Sequence, residues 1–150
     1  MKTNILSLTF RQVAATDKSP AHLVGELHVD GARLGEGYVL DIRRLAEALT
    51  SDGEHFIFTC GCGDAGCAGI HEGVQSRISG DQVSLAGSLP KGGDFSAVLS
   101  ISQARKAVAE ALVSIEPVAK ALAGEEGYPI GPEGLDGEGV AAAIAVVSAG

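Results

Sequence analysis

The chain contains no tryptophan and only six aromatic residues, Phe10, Tyr38, Phe56, Phe58, Phe95 and Tyr128. Its core must therefore be built from Val, Ile, Leu and Ala. Basic residues are scarce as well: 11 Lys and Arg stand against 19 Asp and Glu, a formal net charge of −8. With no basic cluster, nucleic acid and anionic membrane are disfavoured as partners, because both are recognised by Lys and Arg that displace counterions. The longest apolar run, Val140 to Val147, falls far short of the roughly 20 residues that span a bilayer. The segment Met1 to Arg11 lacks the apolar stretch of about 7–15 residues of a secretory signal, so a cytoplasmic protein is expected. Only three cysteines occur. In a reducing compartment a clustered set of this kind reads as metal-binding or redox-active sooner than as a disulfide framework.

What is present fits one globular domain over residues 1–150, with 45% apolar content. Residues 3–15 begin with β-branched and aromatic alternation and predict a strand. Residues 21–30 alternate more cleanly, with Leu23, Gly25, Leu27 and Val29 on one face. Asp30-Gly31 is a hairpin turn signal, and Ala32 to Leu40 would be the returning arm. Asp41 is positioned to cap a short helix over 42–50, whose Ile42, Leu45, Ala46 and Leu49 share one face. Glu54 to Thr59 predicts a further strand, and residues 70–79, 82–89 and 95–100 three more.

The pair Ser100 and Gln103 fits a capping box at the start of a long helix over 102–123. Ala104, Val108, Ala111, Leu112, Ile115, Ala119 and Leu122 form its apolar stripe, and Pro117 should kink or divide it. Residues 124–139 are rich in Gly, Pro and acids and read as a loop. The apolar terminal segment 140–150 could be a docking helix or a last strand. The expected fold class is α+β: an antiparallel sheet of about five to seven strands, with a short helix and a longer helix of the C-terminal half packed on it.

All three cysteines, Cys60, Cys62 and Cys67, lie within eight residues of one another, directly after a predicted strand. Gly61, Gly63, Gly66 and Gly69 are interleaved with them, and glycine accepts the positive φ that lets a short chain aim several side chains at one point. With His71 the segment offers a Cys3His set suited to zinc, since thiolates and a neutral imidazole select that metal over magnesium or calcium. Asp64 and His55 are reserve ligands. The compact C-x-C-x4-C spacing departs from the usual pair of separated C-x2-C knuckles.

Two other readings stand beside zinc. The cysteines can be inert small residues in a tight turn. They can also form a thiol redox site, in which pairing of Cys67 with Cys60 or Cys62 is easier than closing the small C-x-C ring. Gly61 to Gly66 also matches G-x-G-x-x-G after a strand. The following residues, with two more glycines at 69 and 73, lack the helix that a dinucleotide site requires.

Over Phe58 to Ile70 the sequence resembles a group of small, largely uncharacterised bacterial proteins that share a T-C-x-C-G-x-x-G-C-x-G segment after a strand. Gly37 to Leu45 is compatible with the same group. The resemblance covers about a tenth of the chain. It implies a bacterial cytoplasmic α+β protein with a three-cysteine loop, and the recognised part includes the cysteines but not His71.

No G-x-S-x-G elbow, H-E-x-x-H pair or phosphate-binding G-x4-G-K-[ST] is present. His22 and His28 fall on one strand, too far apart to share a metal, and are expected at the surface. The function expected from sequence is therefore non-enzymatic: a protein whose cysteine loop binds zinc or forms a tight turn, and which works by binding another protein. An immunity or antitoxin-like role is a class-level analogy. A thiol redox protein using Cys60, Cys62 and Cys67 is the alternative.

Overall fold

The computed structural model describes residues 2–17, 21–60, 65–123 and 137–149. Among these residues nine strands form three antiparallel sheets, accompanied by three α-helices. The α+β class predicted from sequence is what the chain adopts, with the strands divided among three sheets instead of gathered in one.

The first sheet holds β1 (Leu6–Val13), β2 (His22–Val29) and β3 (Ala32–Leu34), in that order. The alternation of β2 turns Leu23 and Leu27 to the core. Asp30 and Gly31 both have positive φ, at 51° and 82°, which is the backbone a two-residue hairpin turn demands. The returning arm ends early. Gly35 and Gly37 also have positive φ, and the chain re-enters extended structure only at β4 (Val39–Leu40). β4 pairs with β6 (Phe58–Thr59) as a second, two-stranded sheet. The third sheet runs β5 (Gly53–His55), β7 (Val74–Ser79), β8 (Gln82–Leu89) and β9 (Gly93–Ser100).

Asn4 ties the first sheet to the third. Its backbone N–H donates to the Val98 carbonyl at 2.7 Å, and its side-chain oxygen accepts from the Val98 N–H at 2.9 Å. Its amide nitrogen donates to Asp30 at 2.7 Å, so the hairpin turn holds the residue that bridges to β9. The other Asp30 oxygen accepts from the Ile5 N–H at 2.8 Å.

Helix α1 (Ile42–Ala48) starts where expected, with the Asp41 carboxylate accepting from the N–H groups of Arg43 and Arg44. Helix α2 (Ile101–Ala123) runs through Pro117 without a break. Pro117 lies on the exposed face, where the Val113 carbonyl left without its donor can face water. The Ser100 hydroxyl accepts from the Gln103 N–H as in a capping box. The Gln103 side chain, however, reaches across to the backbone of Leu6. Asp81, in the β7–β8 turn, supplies a second cap, accepting from the hydroxyls of Ser100 and Ser102 and from the Ser102 N–H.

The loop expected over 124–139 lies outside the described residues as far as 136. The terminal segment is helix α3 (Gly137–Ser148), and Val140, Ala143 and Val147 bury it against α1 and α2. Arg105 holds its C-terminal end by donating to the carbonyls of Val147 and Ala149. No helix among the described residues is long and apolar enough to cross a membrane.

Two carboxyls at these junctions are held below the ordinary Asp value. For Asp30 the main cause is the Ile5 N–H, then the Asn4 amide. For Asp81 it is the Ser102 hydroxyl, opposed by desolvation and supported by Ser100. A carboxyl whose pKa is lower folded than unfolded adds stability above about pH 4, and that stability is lost as pH falls through the folded value. The urea midpoint is therefore expected to drop between about pH 5 and pH 2. Asp30→Asn and Asp81→Asn should each flatten that drop, and urea titrations at stepped pH check it.

Candidate functional site

The strand predicted over Glu54 to Thr59 is cut in two. β5 belongs to the third sheet and β6 to the second. Ile57 and Phe58 are both buried, at 0% and 3% exposure, although they are neighbours. A regular strand sends neighbours to opposite faces, so a chain that buries both at this point passes from one sheet to the other. The Asp41 N–H donates to the Ile57 carbonyl at 2.8 Å and fixes the crossing beside the start of α1.

Phe58 then sets the direction of the chain into the cysteines. Its ring meets Phe95 edge-on, with centroids 6.4 Å apart and planes at 87°. Phe95 in turn covers Gly87, where a Cβ would lie 2.9 Å from the ring. On its other side Phe58 fills the space over Gly35, where a Cβ would overlap the ring. Thr59, also buried, donates its hydroxyl to the Cys60 carbonyl at 3.0 Å.

Cys60 is half-buried and disulfide-bonded. Cys67 is a free, exposed thiol in a 3-10 turn, Gly66–Ala68, that packs against β6. Buried Ala65 and Ile70 brace the turn, with the Ile70 N–H donating to the Ala65 carbonyl at 3.0 Å. Gly69 ends it at φ 80°. The residue expected to be the easier disulfide partner is thus the one left free. Cys62 and the reserve ligand Asp64 lie outside the described residues.

A groove of about 530 Å³ opens beside the turn, between Thr59, which precedes Cys60, and Gly66, which precedes Cys67. His71 lines it and is exposed, and the reserve ligand His55 lines it too. The His55 Nε2–H donates to the Ser51 carbonyl at 3.0 Å. Asp41, Arg44 and Glu54 complete its charged lining. The Glu54 carboxylate accepts from the Gly73 N–H at 3.1 Å and the Gln75 amide at 3.4 Å. Arg44 pairs with Glu47 at 3.1 Å. None of these three read as a site residue in the sequence, where Asp41 gave only a helix cap, since it is the fold that brings residues 41, 44 and 54 to the groove lined by residue 66.

Among the described residues no group of three or more His, Cys, Asp or Glu side chains is placed to hold a metal ion. After the Gly61 to Gly66 match comes the short 3-10 turn and then β7, with no helix to receive a pyrophosphate. His22, expected at the surface, is 8% exposed. His28 lies near Glu26, within a charged group that includes Arg11 and Arg33.

The chain matches no known family model, no curated protein and no solved structure. The chemistry of the site therefore rests on its own geometry.

Gly35 is where that geometry is most exposed to a test. Gly35→Ala combines a left-handed backbone with overlap of the Phe58 ring and should cost roughly 2–4 kcal/mol. Gly31→Ala, with positive φ but open space around it, should cost about 1 kcal/mol. Chemical denaturation of the two variants measures the difference.

Proposed function

We propose that the Cys60–Cys67 segment is a thiol–disulfide exchange site that acts on another protein. The observation that carries this reading is one oxidised and one free sulfur in the same short segment. Cys60 is disulfide-bonded, while Cys67 is free and exposed on a turn packed against the strand that leads into Cys60. In exchange, a thiolate forms a new bond to one sulfur of a disulfide and the other sulfur leaves as a thiolate, so no further oxidant is needed. An exposed thiol is what such an attack requires. In a reducing cytoplasm a disulfide of this kind is transient, as an exchange site needs it to be.

Zinc binding is a second reading, and one observation favours it: His71 lines the same groove as Gly66, the neighbour of Cys67. It would apply to the reduced chain, where Cys60, Cys62, Cys67 and His71 would be the ligands. A disulfide-bonded Cys60 has no thiolate to offer a metal.

Thiol titration of tag-free protein purified without reductant separates the two. Exchange predicts one reactive thiol per chain, none in Cys67→Ser, and three after reduction. It also predicts that Cys67 reacts with a neutral disulfide at least as fast as mercaptoethanol does. About one zinc per chain, with thiols that react only after a chelator is added, would establish the zinc reading instead. A Cys67 thiol that alkylates but exchanges more slowly than mercaptoethanol would leave only a structural turn.

A further inference from the structure

The alternation that turns Leu6 and Leu8 of β1 to the core turns Ser7, Thr9 and Arg11 to water, with Ile5 leading them on the same face. The register carries that face across the sheet. Ser7 stands opposite His28 and His28 opposite Arg33, while Thr9 stands opposite Glu26. In an acidic chain this face is basic. The Arg11 Nε–H donates to a Glu26 carboxylate oxygen at 3.3 Å, and Arg33 Nη1 lies 3.6 Å from the same oxygen. Two guanidiniums thus share one carboxylate, and one positive charge is left over. The His28 ring, 3.9 Å from the other Glu26 oxygen, adds another when protonated. Towards the hairpin turn, Asp30 has both oxygens occupied by Asn4 and the Ile5 N–H, and Lys2 is close enough to offset its charge.

Two observations mark the face as incomplete. The Arg33 Nε is buried without a hydrogen-bond partner, and among the described residues no other buried side-chain nitrogen or oxygen is left so. Its Nη1 contact with Glu26 is an ion pair too long for a hydrogen bond. The second is Ile5, 53% exposed, one of two large apolar side chains among the described residues that stand out into water.

From this charge and these two unfilled demands we infer that the outward face of the first sheet docks an acidic segment of another protein. Carboxylates of the segment meet Arg33 and Arg11, and an apolar side chain covers Ile5. A guanidinium grips a carboxylate with two parallel N–H bonds, which uses the donors that Arg33 leaves unspent. The Arg33 side chain is 28% exposed, so a carboxylate reaches its outer nitrogens, and a turn of the guanidinium presents the Nε. Exposed ion pairs are weak, so Arg11 can turn from Glu26 to a second carboxylate. From Ile5 to Arg11 the face runs about 20 Å, the length of an extended segment of about seven residues. A free phosphate would meet the guanidiniums and leave Ile5 in water. A nucleic acid would set dense negative charge against a chain of −8. The face shares no residue with the groove beside the cysteine turn, so the inference stands apart from the exchange reading.

The test titrates the full chain, labelled with nitrogen-15, with an acidic peptide in which Glu alternates with Ser and one Leu. A counterpart with Gln for every Glu is the control. Amide signals and arginine Nε–H signals are followed by NMR. The acidic peptide is expected to give saturable shifts over β1, β2 and β3, with a Kd of about 1 mM or below, and to move the Arg33 Nε–H signal. Arg33→Gln should weaken binding by about tenfold or more, the loss of a charge-assisted pair. Should that variant lose its fold, Arg11→Gln, at a side chain 58% exposed, takes its place. Ile5→Ser, also at an exposed position, should weaken binding by about threefold.

Tighter binding when phosphoserine replaces Ser would support the inference and identify a phosphorylated segment as the source of the charge. An Arg33 Nε–H signal unmoved at saturating peptide, or moved equally by the Gln counterpart, would overturn it. So would inorganic phosphate or a single-stranded oligonucleotide that moves the same signal at equal or lower concentration, since either makes the face a site for small anions or nucleic acid.

Discussion

The packing of Phe58 is the constraint on which the site depends. Its ring is held on one side by Phe95 and on the other by a backbone stretch that has no side chain at Gly35. Phe95 is seated in the same way, over Gly87 on the neighbouring strand. Four residues distant in sequence thus make one column of ring against glycine and ring against ring. In a chain with six aromatics and no tryptophan, two of them spent here are a large share of its bulky side chains. Burial of a phenyl ring contributes on the order of 2–3 kcal/mol, and aromatic pairing adds about 1 kcal/mol. That is sufficient to fix a strand of only two residues, which its two ladder positions could not hold alone.

The same column explains what the sequence could and could not show. Strands with clean alternation were legible: β2 and β8 lie where the sequence pattern puts them, while β7 takes up only the part from Val74 of the strand expected over 70–79. Helix signals were legible where a cap and an apolar stripe coincide, as at Asp41 for α1 and over Ala104 to Leu122 for α2. The split between β5 and β6 was not. Glu54 to Thr59 looks like one strand because its local pattern has no Gly or Pro to interrupt it. The interruption comes from burying Ile57 and Phe58 together, with the Phe58 ring against Gly35 and Phe95, 23 and 37 residues away, and periodicity does not encode such contacts. Pro117 shows the converse. A local rule predicted a kink or a division, but the helix is undivided, and the residue lies on the water-facing side of a helix whose other side is anchored along its whole length.

Junctions between elements are held by polar side chains doing work that their own neighbourhood does not reveal. Asn4 reads as an ordinary residue near the start of a strand, yet it bonds to both the hairpin turn and β9. Asp81 reads as a turn residue, yet it caps the helix that begins twenty residues later. Arg105 crosses from α2 to the end of α3. In each case one side chain satisfies backbone groups at the end of another element, groups that would otherwise be left without partners. These bonds connect sheets and helices that share little hydrogen bonding of their own, and they explain how an apolar terminal segment comes to complete the core.

At the site, the sequence named the cysteines and the fold supplied their surroundings. Of the glycines read as permitting a tight turn, Gly69 adopts the left-handed backbone that ends it. Which sulfur stays free could not be read from ring-size arguments alone. Those arguments compare isolated loops, whereas here Ala65 and Ile70 bury themselves on either side of the turn and hold Cys67 outward. The carboxylates of the groove follow the same logic. Asp41 is needed to start α1 and Glu54 to receive the Gly73 N–H. Each therefore has a structural reason to be an acid at that place. Because both roles are filled beside the turn that carries Cys67, the field around that thiol is a consequence of how the neighbouring elements are capped and joined.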